Sequence, residues 1–215
     1  MQAVRRWIGA LAVVLLAAAA PAAELTRAQA LAALTQPDAA ARRAAVDRLA
    51  EVGSMVDARR VLERLADADP RVRIAADAAL WQIWGRSGDP AIDRLYASGV
   101  EQMQASALDD ALATFNEIVR RRPTFAEGWN KRATIYFLLG ENEKSLRDCD
   151  EVFKRNPDHF GALSGAGQIH LQLGHTRQAL DFFRRAVKVN PNLLGPAQMI
   201  PLLEQKLEKE DRSRT

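Results

Sequence analysis

Only one cysteine, Cys149, occurs in 215 residues, so no disulfide can form within the chain and no lipid-bearing cysteine stands near the amino terminus. Aromatic residues are scarce, at 6% against 48% apolar residues overall, and no long stretch alternates with period two. Both features argue against a strand-rich core and for closely packed helices rich in alanine. Glycine-rich phosphate loops and zinc motifs of the H-E-x-x-H kind are absent. The three histidines, His159, His170 and His175, have no spacing that sets two on one helical face, and no nucleophile stands beside a base. The sequence therefore predicts no catalytic site, no metal and no cofactor.

Acidic residues are missing from the first 23 positions. Arg5 and Arg6 precede an uncharged apolar run over 7–20, followed by Ala20, Pro21 and Ala22 in an A-x-A pattern. This pattern is that of a secretory signal peptide over 1–22. The rival reading, an uncleaved inner-membrane anchor, needs roughly 20 apolar residues, and the run to Ala23 is shorter and broken by Gly9 and Pro21. The expected location is the periplasm, with membrane contact only through an uncleaved leader. Without the leader the chain is nearly neutral, and the run at Arg120, Arg121 and Arg122 suits the carbonyl end of a helix. Nucleic acid is not an expected partner.

What the chain does contain is a period of 34 residues. Pro123, Pro157 and Pro191 keep it, as do Gly140 with Gly174, and Leu95, Trp129 and Leu163. A strict period of this length implies stacked helix pairs, because one pair cannot bury its apolar face alone. Each proline ends the second helix of its pair.

The residues at these intervals follow the pattern W-x2-L-G-x2-Y…A-x3-F…P. The copy over 160–193 reads Leu163, Ala166, Gly167, His170, Ala179, Phe183 and Pro191, and that over 92–125 reads Leu95, Ser98, Gly99, Gln102, Ala111, Phe115 and Pro123. The middle copy, 126–159, keeps Trp129, Ala133, Tyr136 and Pro157 but has Arg132, Ser145 and Cys149 where the pattern has Leu, Ala and Phe. The segment 89–193 thus resembles tetratricopeptide (TPR) repeats. The resemblance implies an all-α, right-handed α-solenoid of antiparallel helix pairs and a groove lined by the first helix of each pair. It places Asp93, Tyr96, Val100, Met103 and Gln104 in that groove from the first copy. Glu127, Asn130, Thr134, Phe137 and Leu138 come from the second, and Gly161, Ser164, Gln168, Leu171 and Gln172 from the third. Tyr96, Val100, Gly161 and Gly165 occupy the places where some members grip a terminal carboxylate with Lys, Asn and Arg, so that mode is disfavoured here. An apolar strip with amides and hydroxyls suits an extended peptide or a partner helix; a small-molecule substrate is not expected.

A weaker repeat precedes this one. Asp38, Arg42, Ala44, Ala45 and Leu49 recur 31 residues later as Asp69, Arg73, Ala75, Ala76 and Leu80, and each copy ends in glycine, Gly53 and Gly85. The aspartates are expected to cap helices and the glycines to end them in the left-handed conformation. The segment 23–88 resembles HEAT-type helical repeats through Asp69, Val72, Arg73 and Ala76. Trp81 and Trp84 are expected to pack it onto the first TPR helix across the turn at Gly88, Asp89 and Pro90. The segment 194–215 is expected to cap the open end of the stack with a helix that begins or bends near Pro201 and ends in a frayed tail. Together these features predict a non-catalytic interaction module of the bacterial envelope that binds another protein in its groove. The alternative is a permanent scaffold subunit using the convex face or the solenoid ends.

Overall fold

The computed structural model describes residues 24–213; the expected leader lies outside them. Among the described residues there are eleven α-helices and no strand. The first four are α1 Arg27–Ala33, α2 Ala39–Val52, α3 Met55–Leu62 and α4 Pro70–Trp84, with a 3-10 turn at Glu63–Ala66 joining the last two. Local chemistry sets their starts. Thr26 and Gln29 form a reciprocal capping box on α1, Asp38 accepts from the Ala41 N–H, and Asp69 accepts from the Arg71 N–H ahead of Pro70 at the first helical position.

The arginine that repeats after 31 residues has a common task. The Arg42 guanidinium donates to the Gln36 and Pro37 carbonyls, and that of Arg73 to the Asp67 and Ala68 carbonyls. Each arginine thereby closes the loop leading into its own helix. Val46, Leu49, Val61, Leu65, Val72, Leu80 and Ile83 fill the space between these helices and are fully buried.

Neither repeat glycine is left-handed: Gly53 has φ −72° and ψ 163°, and Gly85 has φ −72° and ψ −5°. Close approach accounts for them instead, since a Cβ on Gly53 would collide with the Leu49 carbonyl and one on Gly85 would press on that of Trp81. The positive-φ glycines lie elsewhere, at Gly88 (φ 78°) in the turn before Asp89 and at Gly140 (φ 76°) and Gly174 (φ 75°), the last two each between the two helices of a pair. Thirty-four residues before Gly140, Ser106 adopts the same region with φ 59°, so the turn is repeated even where the glycine is not.

The later helices are α5 Pro90–Gln104, α6 Leu108–Arg121, α7 Ala126–Leu138, α8 Asn142–Arg155, α9 Phe160–Gln172, α10 Thr176–Val189 and α11 Leu194–Arg212. Within each pair a small residue faces a specific partner. A Cβ on Gly99 would come to 2.7 Å from the Phe115 ring, and one on Gly167 to 2.6 Å from the Phe183 ring. In the middle pair Ala133 already carries that Cβ, and its buried neighbour is the smaller Cys149. Ser145, also buried, donates to the Ala133 carbonyl at 2.7 Å. The end of the stack is covered by α11, whose Leu203 is buried against Ala179, Leu180 and Phe183. Pro201 lies inside that helix.

Helix α4 does not pack chiefly on α5, as the sequence suggested. It runs back along the edge where each repeat hands over to the next. Asp77 accepts from Asn190 Nδ2 at 2.6 Å and Arg73 Nε donates to Asn192 Oδ1 at 3.1 Å. Further along, Trp81 and Trp84 meet His159 and Phe160, with ring centroids 4.4 to 5.4 Å apart. The partner of the tryptophan pair is thus the start of the third repeat. Proximity in sequence favoured α5; apolar burial against Phe160, which is 1% exposed, decides otherwise.

Candidate functional site

The expected groove is lined by α5, α7 and α9, and α4 divides it. At the end nearest α4, Gly161 lies directly under Trp81, and a Cβ there would collide with the indole. Beside it Glu127 is wholly buried, and five contacts fill its carboxylate. His159 Nε2 lies at 2.7 Å and Lys131 Nζ at 3.1 Å. Asn130 Nδ2 lies at 3.1 and 3.2 Å from the two oxygens, and the Tyr96 hydroxyl donates at 3.3 Å. The Ala162 N–H donates to His159 Nδ1 at 3.1 Å. That nitrogen is therefore an acceptor, which leaves the Nε2–H to donate to Glu127.

Burial by itself would push the Glu127 carboxyl up, but the hydrogen bond from His159 and the Lys131 ammonium outweigh it and hold the group below its ordinary range. The Tyr96 phenol moves far the other way, through burial first and then the adjacent negative charge. Lys131 lies 5.6 Å over the Trp81 ring, so its charge is shared between the carboxylate and an aromatic face. Glu127 and Asn130, expected on an open surface, are interior groups that join three repeats. His159 holds this network together. Its position in a connection between helices gave no sign of that.

One turn further along the same helices the surface opens. A pocket of ≈ 210 Å³ lies between α7 and α9, lined by Thr134, Phe137, Ser164, Gly165 and Gln168, with Asn130 at its inner end and Ala133, Ser145 and Cys149 at its base. Cys149 stands where the other two repeats have Phe115 and Phe183, and this smaller side chain accounts for the space at that level. The Cys149 thiol is 3% exposed and burial pushes it up to about 12, so it is a packed apolar group and not a nucleophile. Every side chain lining this pocket is uncharged. Leu138, beyond Phe137, is 57% exposed. Asp93 is occupied by the Ser87 backbone N–H and hydroxyl at 2.7 and 2.6 Å. Val100 and Met103 pack against the α5 and α6 core, Leu171 packs at the level of α11, and Gln104 and Gln172 lie near the far ends of α5 and α9.

The turn after α9 brings His170 Nδ1 to 3.3 Å from His175 Nδ1, a meeting across five residues that helical spacing did not foretell. His170 is held below its ordinary value, by burial first and then by His175. No group of three or more His, Cys, Asp or Glu suited to a metal ion occurs among the described residues.

Comparison with known proteins agrees with this geometry. The family model "Tetratricopeptide repeat" matches 126–159 and 161–193. A TPR repeat-containing protein of Rhizobium etli is 31% identical over 146 residues, which cover 68% of this chain and 71% of that protein. Among solved structures, the first TPR domain of Spaghetti, bound to an HSP90 peptide, superposes with a TM-score of 0.52. The match has 20% identity and covers 54% of this chain and 93% of that one. MamA superposes with a TM-score of 0.53 at 18% identity, over 66% of this chain and 84% of that one. At such identities the structural likeness speaks for the fold. With the Rhizobium relative and the repeated helix pairs, the assignment is complete: this chain belongs to the tetratricopeptide-repeat family.

Proposed function

We propose that the protein is a non-catalytic interaction module whose receptor surface is the open part of the groove, at Thr134, Phe137, Ser164, Gly165 and Gln168. The observation that carries this reading is the uncharged pocket between α7 and α9. Phe137 offers an apolar wall, and Thr134, Ser164 and Gln168 offer hydrogen-bonding groups that can pair with an extended peptide or the side of a helix. Glu127 and the α4 tryptophans hold α7 and α9 from the closed end, so the receptor loses little conformational freedom on binding. The HSP90 peptide bound by the Spaghetti domain is a precedent for peptide capture by this fold. The cellular setting belongs to the same proposal. The leader pattern in the sequence supports a periplasmic location, and the partner proposed is then another envelope protein. The helices α1 to α4, read as HEAT-like pairs, are a fixed brace for the repeats.

In vivo photo-crosslinking from Thr134, Ser164 and Gln168, with Leu202 as the control, tests the proposal. One shared protein adduct from the groove positions is the expected result. An adduct from Leu202 alone would transfer the function to the solenoid end. That second reading, a scaffold subunit, draws its support from Leu194 and Leu202 of α11, which are 75% and 57% exposed. A periplasmic fraction lacking the protein would end the envelope assignment.

A further inference from the structure

Outside the groove, where α4 meets the loop between the first and second repeats, there is a separate recess of ≈ 330 Å³. Trp84, Asn156, Phe125 and three arginines, Arg86, Arg122 and Arg155, line it, together with Ala126 at the start of α7. Its described lining includes no acid. The nearby carboxylates are already committed, Asp93 to Ser87 and Glu151 to Lys154 and Arg155.

Two lining groups lack partners. Trp84 Nε1 and Asn156 Nδ2 are buried donors with no hydrogen bond, on side chains only 2% and 6% exposed. A buried N–H left unmade is costly, and native proteins rarely leave two in the lining of one recess. Nor does any side chain cap α7, so its first N–H groups and the positive end of its dipole lie at the recess. The next repeat handles the same position differently: His159 Nδ1 caps α9.

The repeat also supplies an internal control for the asparagine. Asn156 and Asn190 are 34 residues apart, each immediately after the second helix of its pair. Asn190 Nδ2 donates to the Asp77 carboxylate at 2.6 Å. Asn156 Nδ2 occupies the equivalent place and has no carboxylate.

We infer that this recess binds a small oxyanion, a carboxylate in the first instance, taking at Asn156 the place that Asp77 takes at Asn190. Asn156 Nδ2 and Trp84 Nε1 donate to it, α7 presents its uncapped N–H groups, and Arg122 supplies the paired charge. The other two arginines are engaged: Arg86 holds the Ala50 and Gly53 carbonyls at 2.6 and 2.7 Å, and Arg155 holds Glu151 and the Pro123 carbonyl. Arg122 has only a long contact of 3.4 Å to the Ser87 carbonyl, so it can turn to a ligand without giving up a strong bond. Both orphan nitrogens are closed to solvent, and the long arginine side chains are the lining groups able to shift and admit the anion.

The test is a proton–nitrogen NMR titration of the full-length protein at constant ionic strength. It follows the Trp84 indole N–H and the Asn156 side-chain amide with chloride, acetate, N-acetylleucine and inorganic phosphate in separate arms. Saturable movement of both signals with acetate and N-acetylleucine is expected, and Arg122→Gln should weaken binding by about tenfold or more, as loss of a charged hydrogen-bond partner does. Because Arg122 is exposed, that variant keeps the fold, which circular dichroism verifies. A response to phosphate alone would overturn the carboxylate assignment. No saturable response to any anion, with the Trp84 signal in fast exchange with water, would overturn the site and leave a bound water as its occupant.

Discussion

One helical turn separates Asn130 from Thr134 on α7, and another separates Gly161 from Gly165 on α9, yet the two levels have opposite fates. At the first, the Asn130 amide and His159 are turned inward onto Glu127 and Trp81 covers Gly161, so that Asn130 and Gly161 only border the opening. At the second, a pocket faces outward and Gly165 has open space where a Cβ would be. The repeat register assigns both levels to the same groove. What separates them is α4, an element outside the repeats. In a solenoid the surface available to a partner is therefore set by register and by whatever else in the chain leans on it.

The largest expected effect breaks the closed end. Phe160→Ala should lower the free energy of unfolding by about 3–5 kcal/mol, the cost of emptying a well-packed aromatic site. Leu138→Ala, at the exposed level, should stay within about 0.5 kcal/mol, and urea titration of the two variants measures the contrast. Glu127→Ala comes next, at about 3 kcal/mol, because it strands Asn130 and His159 in the interior and removes the partner of Lys131. Since the folded protein holds this carboxyl below its ordinary range, its contribution is complete above the unfolded pKa of about 4.3 and disappears as pH falls through the folded value. Glu127→Gln should accordingly flatten the acid side of the stability curve, whereas Gln168→Ala should leave its shape unchanged.

A finer test uses the two glycines. Gly161→Ala should cost about 1–3 kcal/mol by driving Trp81 aside, visible in the near-ultraviolet dichroism of the indoles. Gly165→Ala should be stabilising by about 0.5–1 kcal/mol, since the added methyl meets nothing and the helix gains from losing a glycine. Opposite signs one turn apart would establish the boundary of the closed level; equal signs would erase it. The smallest effect concerns the base of the open pocket. With its thiol pushed up to about 12, Cys149 in the native protein at pH 8 should resist a thiol reagent that labels it fully in denaturant, so rapid native labelling would mean that the pocket base opens.

Much of this architecture was legible because it is local. The 34-residue interval reports contacts between helices adjacent in sequence, and the pairings of Gly99 with Phe115 and Gly167 with Phe183 follow the family pattern directly. The caps at Asp38, Asp69 and Asp89 are equally local, each joining a side chain to an N–H two or three residues ahead. The division of the groove was not legible, because the bond from Asn190 to Asp77 spans 113 residues and no periodicity encodes a contact of that kind. Glu127 read as a groove residue for the same reason: its register is right, and its burial depends on His159 and Trp81 from two other parts of the chain. The glycines at 53 and 85 misled through type, since the same residue serves a left-handed turn and a tight approach of backbone.

The course of α4 also bears on how the chain comes to be folded. A repeat array ordinarily behaves as a row of neighbours that can begin to order anywhere and lengthen unit by unit. Here α4 and the 3-10 turn before it are made early and their bonding partners late, for the Leu65 carbonyl accepts from Asn192 across 127 residues and Arg73 donates to the same residue across 119. While the chain is being synthesised, Trp81 and Trp84 must wait for the third repeat before His159 and Phe160 can cover them. Closure of so long a loop slows the final step, and it ties residues 65–77 directly to residues 190–192, so that the array is no longer a row in which each unit touches only its neighbours.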